Sequence, residues 1–154
     1  MRAAIIGCGR TGAALAEALD GSGHDVTIID MRTHAFDRLP PTFSGNAVRG
    51  DGTDEDVLRR AGVEGVDLFF AITDGDNRNL LAAQLARDSL KATRVVAKVN
   101  DPVRAAAYGD LGVITVCRTT LIVDAIYDAL SLENPAENAF ALGLAGSTND
   151  RRGV

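Results

Sequence analysis

The feature that most restricts what this chain can become is Gly7-Cys8-Gly9-Arg10-Thr11-Gly12, set between an apolar run and a helix former. Ala3-Ala4-Ile5-Ile6 leads into it, and Ala13-Ala14-Leu15-Ala16-Glu17-Ala18-Leu19 follows with apolar residues at helical spacing. A second apolar run, Val26-Thr27-Ile28-Ile29, ends on Asp30, 18 residues beyond Gly12. Strand, glycine turn, helix, strand and acid each have a task in holding a dinucleotide or an adenine nucleotide. Gly7 lets the chain turn off the strand, bare Gly9 lets a pyrophosphate come close to the backbone, and Gly12 lets the helix pack near the sheet. The helix N-terminus offers free N–H groups to phosphate, and a carboxylate at Asp30 can bond ribose hydroxyls. A turn that merely joins strand to helix would leave that acid without a purpose.

The 154 residues suit one domain with a real core. A hydrophobic content of 46% with only 5% aromatic residues and no Trp fits an α/β sheet filled by Val, Ile, Leu and Ala. The net charge of −5 argues against a nucleic-acid partner, which needs a basic face. No run of about 18 apolar residues occurs, so membrane insertion is not expected. A core strand right after Met1-Arg2 leaves no room for a signal peptide, and two well-separated cysteines, Cys8 and Cys117, fit a reducing compartment. A cytoplasmic protein is the expectation.

Further along, Thr33 is placed to cap a short helix over 33–39 that Pro40-Pro41 stops, and 47–49 reads as a third strand. Thr53 is expected to cap a helix over 54–61 with acids first and arginines last, ending at Gly62. A fourth strand covers 67–72. A helix over about 77–90 carries Leu81, Ala82, Leu85 and Ala86 on one face. A fifth strand covers 94–100, a helix starts at Asp101-Pro102, a sixth strand covers 113–116, and a wide apolar face runs along the last helix, 119–131. The pattern predicts a single-domain α/β fold, a Rossmann-like doubly wound parallel sheet of six strands in order 3-2-1-4-5-6, with its ligand outside the carboxyl ends of the strands. Residues 1–134 make up that domain, and 135–154 read as a weakly structured tail.

Beyond the glycine loop, Ile29-Asp30, Gly50-Asp51-Gly52-Thr53-Asp54, Thr73-Asp74-Gly75-Asp76-Asn77 and Val96-Ala97-Lys98-Val99-Asn100-Asp101-Pro102 resemble the N-terminal RCK/KTN domain of Trk- and Ktr-type potassium-uptake regulators and ligand-gated potassium channels. The likeness runs from residue 1 to about 131. It implies a cytoplasmic regulatory subunit, not an enzyme, that binds NAD(H), or alternatively ADP/ATP, and gates a membrane potassium transporter subunit. By the same resemblance Gly7, Gly9, Arg10, Thr11 and Gly12 meet the phosphates, and Asp30 holds ribose hydroxyls with Met31 and Arg32 beside it. Asp51, Gly52 and Thr53 contact adenine, while Thr73, Asp74 and Lys98 line the phosphate side. The last helix corresponds to one that crosses to a second subunit, implying a homodimer or higher homo-oligomer. Two departures stand out. The chain ends too soon for the family's C-terminal sensing lobe. Arg118 also occupies a position where some members carry a glutamate that helps hold a divalent ion near ATP, which disfavours an ATP–metal mode and leaves NAD(H) or ADP binding untouched.

Several residues have a plainer reading beside the sharp one. Lys98 interrupts an apolar strand and needs either a phosphate or a nearby Asp. The acids Asp51, Asp54, Glu55 and Asp56 read better as a solvated helix start than as a cation site, and neither His24 nor His34 has a partner at zinc-ligand spacing. Cys8, near a helix N-terminus, could be electrophile-sensitive, but a small residue packed under the loop is the simpler expectation. An NAD-dependent oxidoreductase is the alternative function, with a stand-alone redox or nucleotide sensor beside it. The Tyr-x-x-x-Lys signature is absent, since Tyr108 is followed four residues on by Gly112 and Tyr127 by Ser131.

Overall fold

The computed structural model describes residues 1–132; the tail expected over 135–154 lies outside the described residues. The strand order is β3-β2-β1-β4-β5-β6, as the sequence pattern predicts. The chain divides into two compact units at Lys98.

The first unit carries strands β1 (Arg2–Ile6), β2 (Asp25–Asp30), β3 (Asn46–Arg49), β4 (Leu68–Ala71) and β5 (Arg94–Lys98), with helices α1 (Arg10–Gly21), α2 (Glu55–Arg60) and α3 (Asp76–Gln84). Every pairing among these five strands is parallel, with Ile6 opposite both Ile29 and Ala71 and Asp30 opposite Arg49. Consecutive apolar residues in β1 are needed because both faces of a parallel sheet are covered; Ala3, Ala4, Ile5 and Ile6 are all buried. Val26, Ile28 and Ile29 of β2 and Phe69 of β4 complete the centre of the core. With β1 flanked by β2 on one side and β4 on the other, the loops after these strands diverge and open a crevice at their carboxyl ends.

Three local expectations shift. The cap of α2 is Asp54, whose Oδ1 accepts from the N–H groups of Asp56 and Val57, and not Thr53. Thr33 is the first residue of a short 3-10 helix (Thr33–Arg38) entered from Arg32 without a side-chain cap. In α3 the buried residues are Asn79, Leu80, Ala82 and Ala83, while Leu81 is exposed. Side-chain bonds made by Asn79 set the rotation of this helix, which widens into a π turn over Leu85–Ser89.

The second unit holds α4 (Pro102–Gly109), β6 (Ile114–Val116) and α5 (Arg118–Ala129). Asp101 caps α4 through the N–H groups of Val103 and Arg104, with Pro102 in the first turn as expected. Buried Thr115 donates to the carbonyl of Ala105 at 2.9 Å, tying β6 to α4. No residue of α5 is buried among the described residues, and Leu121, Ile122, Val123 and Ile126 are 38–52% exposed. No described helix is long and apolar enough to cross a membrane.

Candidate functional site

The turn after β1 is built from backbone constraints. Gly7 sits at φ +102°, a left-handed conformation that disfavours any side chain. Its N–H donates to the Ile29 carbonyl at 2.8 Å, prolonging the β1–β2 ladder. A Cβ on Gly12 would run into the Gly7 carbonyl oxygen, so α1 can start this close to the turn only with glycine there. Gly9 is the N-cap of α1; no side chain caps the helix, and its first turn holds no acid. The leading N–H groups therefore keep their preference for an anion. Nothing lies within 4 Å of where a Gly9 Cβ would point, so this side of the loop is open.

Asp30 binds that loop to the end of β2. Its Oδ2 accepts from the Cys8 N–H at 2.9 Å and its Oδ1 from the Arg32 N–H at 2.9 Å. The Arg32 Nε lies 3.7 Å from Oδ1, and the carboxylate is only 9% exposed. A carboxylate has about four acceptor sites, so capacity for a ligand hydroxyl remains. Cys8 itself is fully buried, and burial first, then the Asp30 carboxylate, pushes its thiol up despite an opposing pull from Arg38. The thiol stays protonated near neutral pH, consistent with the packing role.

Asp51 leads the next loop. Its Oδ1 accepts from both the Thr53 N–H (2.9 Å) and the Thr53 hydroxyl (2.7 Å). Those two bonds hold its carboxyl below the ordinary value, with the Arg78 guanidinium adding to the effect. A folded value below the unfolded one contributes stability above the ordinary value of about 3.9, and that contribution is lost as pH falls through the folded value. Asp51→Asn is therefore expected to lower the unfolding midpoint at pH 7, while the two proteins converge as pH falls below the folded value of Asp51; chemical unfolding from neutral to acid pH checks it.

The loop after β4 hangs on Asn79, which is fully buried in α3. Its Oδ1 accepts from the Thr73 N–H (2.8 Å) and the Thr73 hydroxyl (2.7 Å). Its Nδ2 donates to the carbonyls of Thr73 (3.2 Å) and Lys98 (2.8 Å). The side chain thus joins the end of β4 to the end of β5.

These loops enclose a cavity of about 300 Å³. Of the residues expected from the sequence, Gly7, Gly9, Asp30, Met31, Arg32, Asp51, Gly52, Thr73 and Asp74 line it. Gly12 lies beneath the loop in contact range of Gly7, and Thr53 acts on Asp51 from behind. Arg10 and Thr11 are exposed at the start of α1, and Lys98 is half-buried at the end of β5; none of the three is in the lining. Sequence reasoning missed Arg78, which does line the cavity, and Asn79, which positions Thr73. Three of the four acids considered for a cation site have protein partners instead: Asp51 holds Thr53, Asp54 caps α2, and Glu55 pairs with Arg59 at 2.8 Å.

The profile of the TrkA-N domain matches residues 3–119. Over 124 residues, 80% of this chain and 56% of the relative, the chain is 44% identical to the Trk system potassium uptake protein TrkA of Streptomyces coelicolor. Among solved structures it resembles the Shewanella denitrificans Kef CTD in AMP bound form, with a TM-score of 0.69 and 24% identity over 85% of this chain and 80% of that one. It also resembles the GsuK channel bound to NAD, with a TM-score of 0.65 and 21% identity over 79% of this chain and 22% of that one. At these identities the two structures support the fold alone. The chain spans about half the length of the curated relatives it matches.

Proposed function

The chain belongs to the TrkA-N domain family, and from that premise we propose that it is the nucleotide-sensing part of a regulatory subunit of a Trk/Ktr-type potassium transport system. It binds NAD(H), or ADP/ATP in its place, and gates a membrane transporter subunit from the cytoplasmic side. The observation that carries this reading is the convergence of Gly7, Gly9, Asp30, Asp51 and Thr73, from four separate strand ends, on one cavity. Its volume is at the low end for small-molecule sites, which suits an adenosine moiety with phosphates running toward the open side of Gly9. Asp30 takes ribose hydroxyls and repels a 2′-phosphate, favouring NAD over NADP. Arg10, Thr11, Gly12, Thr53 and Lys98 support the loops or reach the ligand from outside the lining. The reading assigns no reaction to the chain, in preference to an NAD-dependent oxidoreductase.

A ligand changes a conformational equilibrium only by its difference in affinity for the two states. Loops on four strand ends that grip one ligand can convert such a difference into loop position. The exposed apolar face of α5, with Leu121, Ile122 and Ile126, is the surface through which a homodimer would form and pass the change on.

Calorimetric titration with NAD, NADH, NADP, ADP and ATP, with and without magnesium, tests the reading. Micromolar binding of NAD(H) or an adenine nucleotide is expected. Asp30→Asn should weaken it roughly ten- to a hundredfold, the worth of a hydrogen bond to a charged group. A wild-type protein that binds none of these ligands, or an Asp30→Asn variant that binds them equally well, would sink the nucleotide-sensor reading.

A further inference from the structure

The cavity lining carries three carboxylates, Asp30, Asp51 and Asp74, and two guanidinium groups, Arg32 and Arg78. The lining thus holds one more carboxylate than guanidinium, so a phosphate chain entering it depends on the N–H groups at the start of α1 and on whichever guanidinium faces it. The basic residues expected for that task, Arg10 and Lys98, are not in the lining. Arg32 faces Asp30 at the ribose end and is 63% exposed. Arg78 stands elsewhere, in the first turn of α3 beside Asp74, on the side of the site assigned to phosphate. Its backbone position is fixed, because the next residue is fully buried Asn79 with all its hydrogen bonds made inside the protein. Its head group is loosely held: Nη1 is 3.6 Å from Asp74 Oδ1, and the two side chains are 47% and 88% exposed. An exposed pair of this kind is worth little, so exchanging it for phosphate costs little.

We propose that Arg78 is the specificity-determining residue that reads the phosphate charge of the bound nucleotide, exchanging Asp74 for phosphate oxygens. The inference rests on the nucleotide-sensor reading above and deepens it. A guanidinium offers a planar fork to two phosphate oxygens, a geometry that an ammonium lacks. Arg78 thereby distinguishes ligands of one adenosine body but different phosphate content. It also links the loop of Asp74 to the presence of that charge.

The test titrates adenosine, AMP and ADP into the wild-type protein, Arg78→Gln, Arg78→Lys and the Asp30→Asn control. Calorimetry measures the nucleotides, and chemical-shift titration measures the weaker nucleoside. Arg78→Gln is expected to weaken ADP at least tenfold and AMP by less, and to leave adenosine within twofold. Arg78→Lys should recover part of the loss. The ADP effect should persist at 1 M salt, where the screening length is about 3 Å and only direct contact survives. Equal weakening of adenosine and ADP, or an ADP affinity untouched by Arg78→Gln while Asp30→Asn still loses binding, overturns the role of Arg78 and leaves the nucleotide site standing. A wild-type protein that binds neither AMP nor ADP overturns both.

Discussion

Asn79→Leu is expected to destabilise the protein by about 3 kcal/mol, although leucine shares the branched skeleton of asparagine. The loss comes from what is left behind. Thr73 N–H, the Thr73 hydroxyl and the carbonyls of Thr73 and Lys98 all have Asn79 as a partner. A buried polar group without a partner costs about 1–3 kcal/mol. The Thr73 hydroxyl keeps a contact with the Gly75 N–H at 3.4 Å, and relaxation will recover some of the rest, so the sum falls well short of four full penalties. For a domain of this length, 3 kcal/mol corresponds to a fall in Tm of roughly 6–12 °C. Asn79→Asp sharpens the test. It retains the acceptor for Thr73 N–H but turns a carboxylate oxygen toward two carbonyls, which raises its folded pKa. A raised acid loses stability above its unfolded value and regains it on protonation, so this variant should be relatively more stable at pH 5 than at pH 7. Denaturant melts at both pH values measure it; a change below 1 kcal/mol for Asn79→Leu would show that Thr73 and Lys98 find other partners.

The same residue marks where the sequence stops being readable. The glycine turn, Asp30 and the strand order are local or periodic signals, and they place the cavity correctly. Asp101-Pro102 likewise announces the start of α4 within three residues of chain. Asn79 carries no such signal. Its partners lie 6 and 19 positions away, and nothing in an alanine-rich helix distinguishes it from a surface asparagine. The phase of α3 suffers for the same reason: Leu80-Leu81-Ala82-Ala83 offers apolar residues all round, and the hydrogen bonds of Asn79 decide that Leu80 goes inward and Leu81 outward. Thr53 and Asp54 are adjacent residues that both favour helix caps, so only geometry reveals that one caps α2 while the other holds Asp51. Arg78 escapes notice because position alone says nothing about where an arginine in a first helical turn sends its head group.

Gly12→Val and Gly9→Ala should separate two glycine tasks that the sequence presents as one motif. At Gly12 any Cβ meets the Gly7 carbonyl oxygen, with Ile72 Cδ1 also 3.7 Å away. The obstacle is backbone, which cannot swing aside as a side chain can, so α1 must retreat from the turn. Overpacking of this kind costs about 1–3 kcal/mol, sometimes more, and valine in a helix adds a fraction to it; a loss of about 3 kcal/mol is expected. Nucleotide affinity should fall with it, because the uncapped N–H groups at the start of α1 move away from the phosphates. Gly9 is different. Its φ of −79° is open to any residue, and no atom lies within 4 Å of the added methyl. Gly9→Ala should stay within about 1 kcal/mol of the wild type, the cost of losing glycine at an N-cap, yet bind NAD or ADP at least tenfold more weakly, because the methyl occupies the open side where pyrophosphate would lie. Paired melts and titrations read both effects. If Gly9→Ala binds nucleotides unchanged, the open face of the loop does not hold phosphate, and Gly12 then serves helix packing alone.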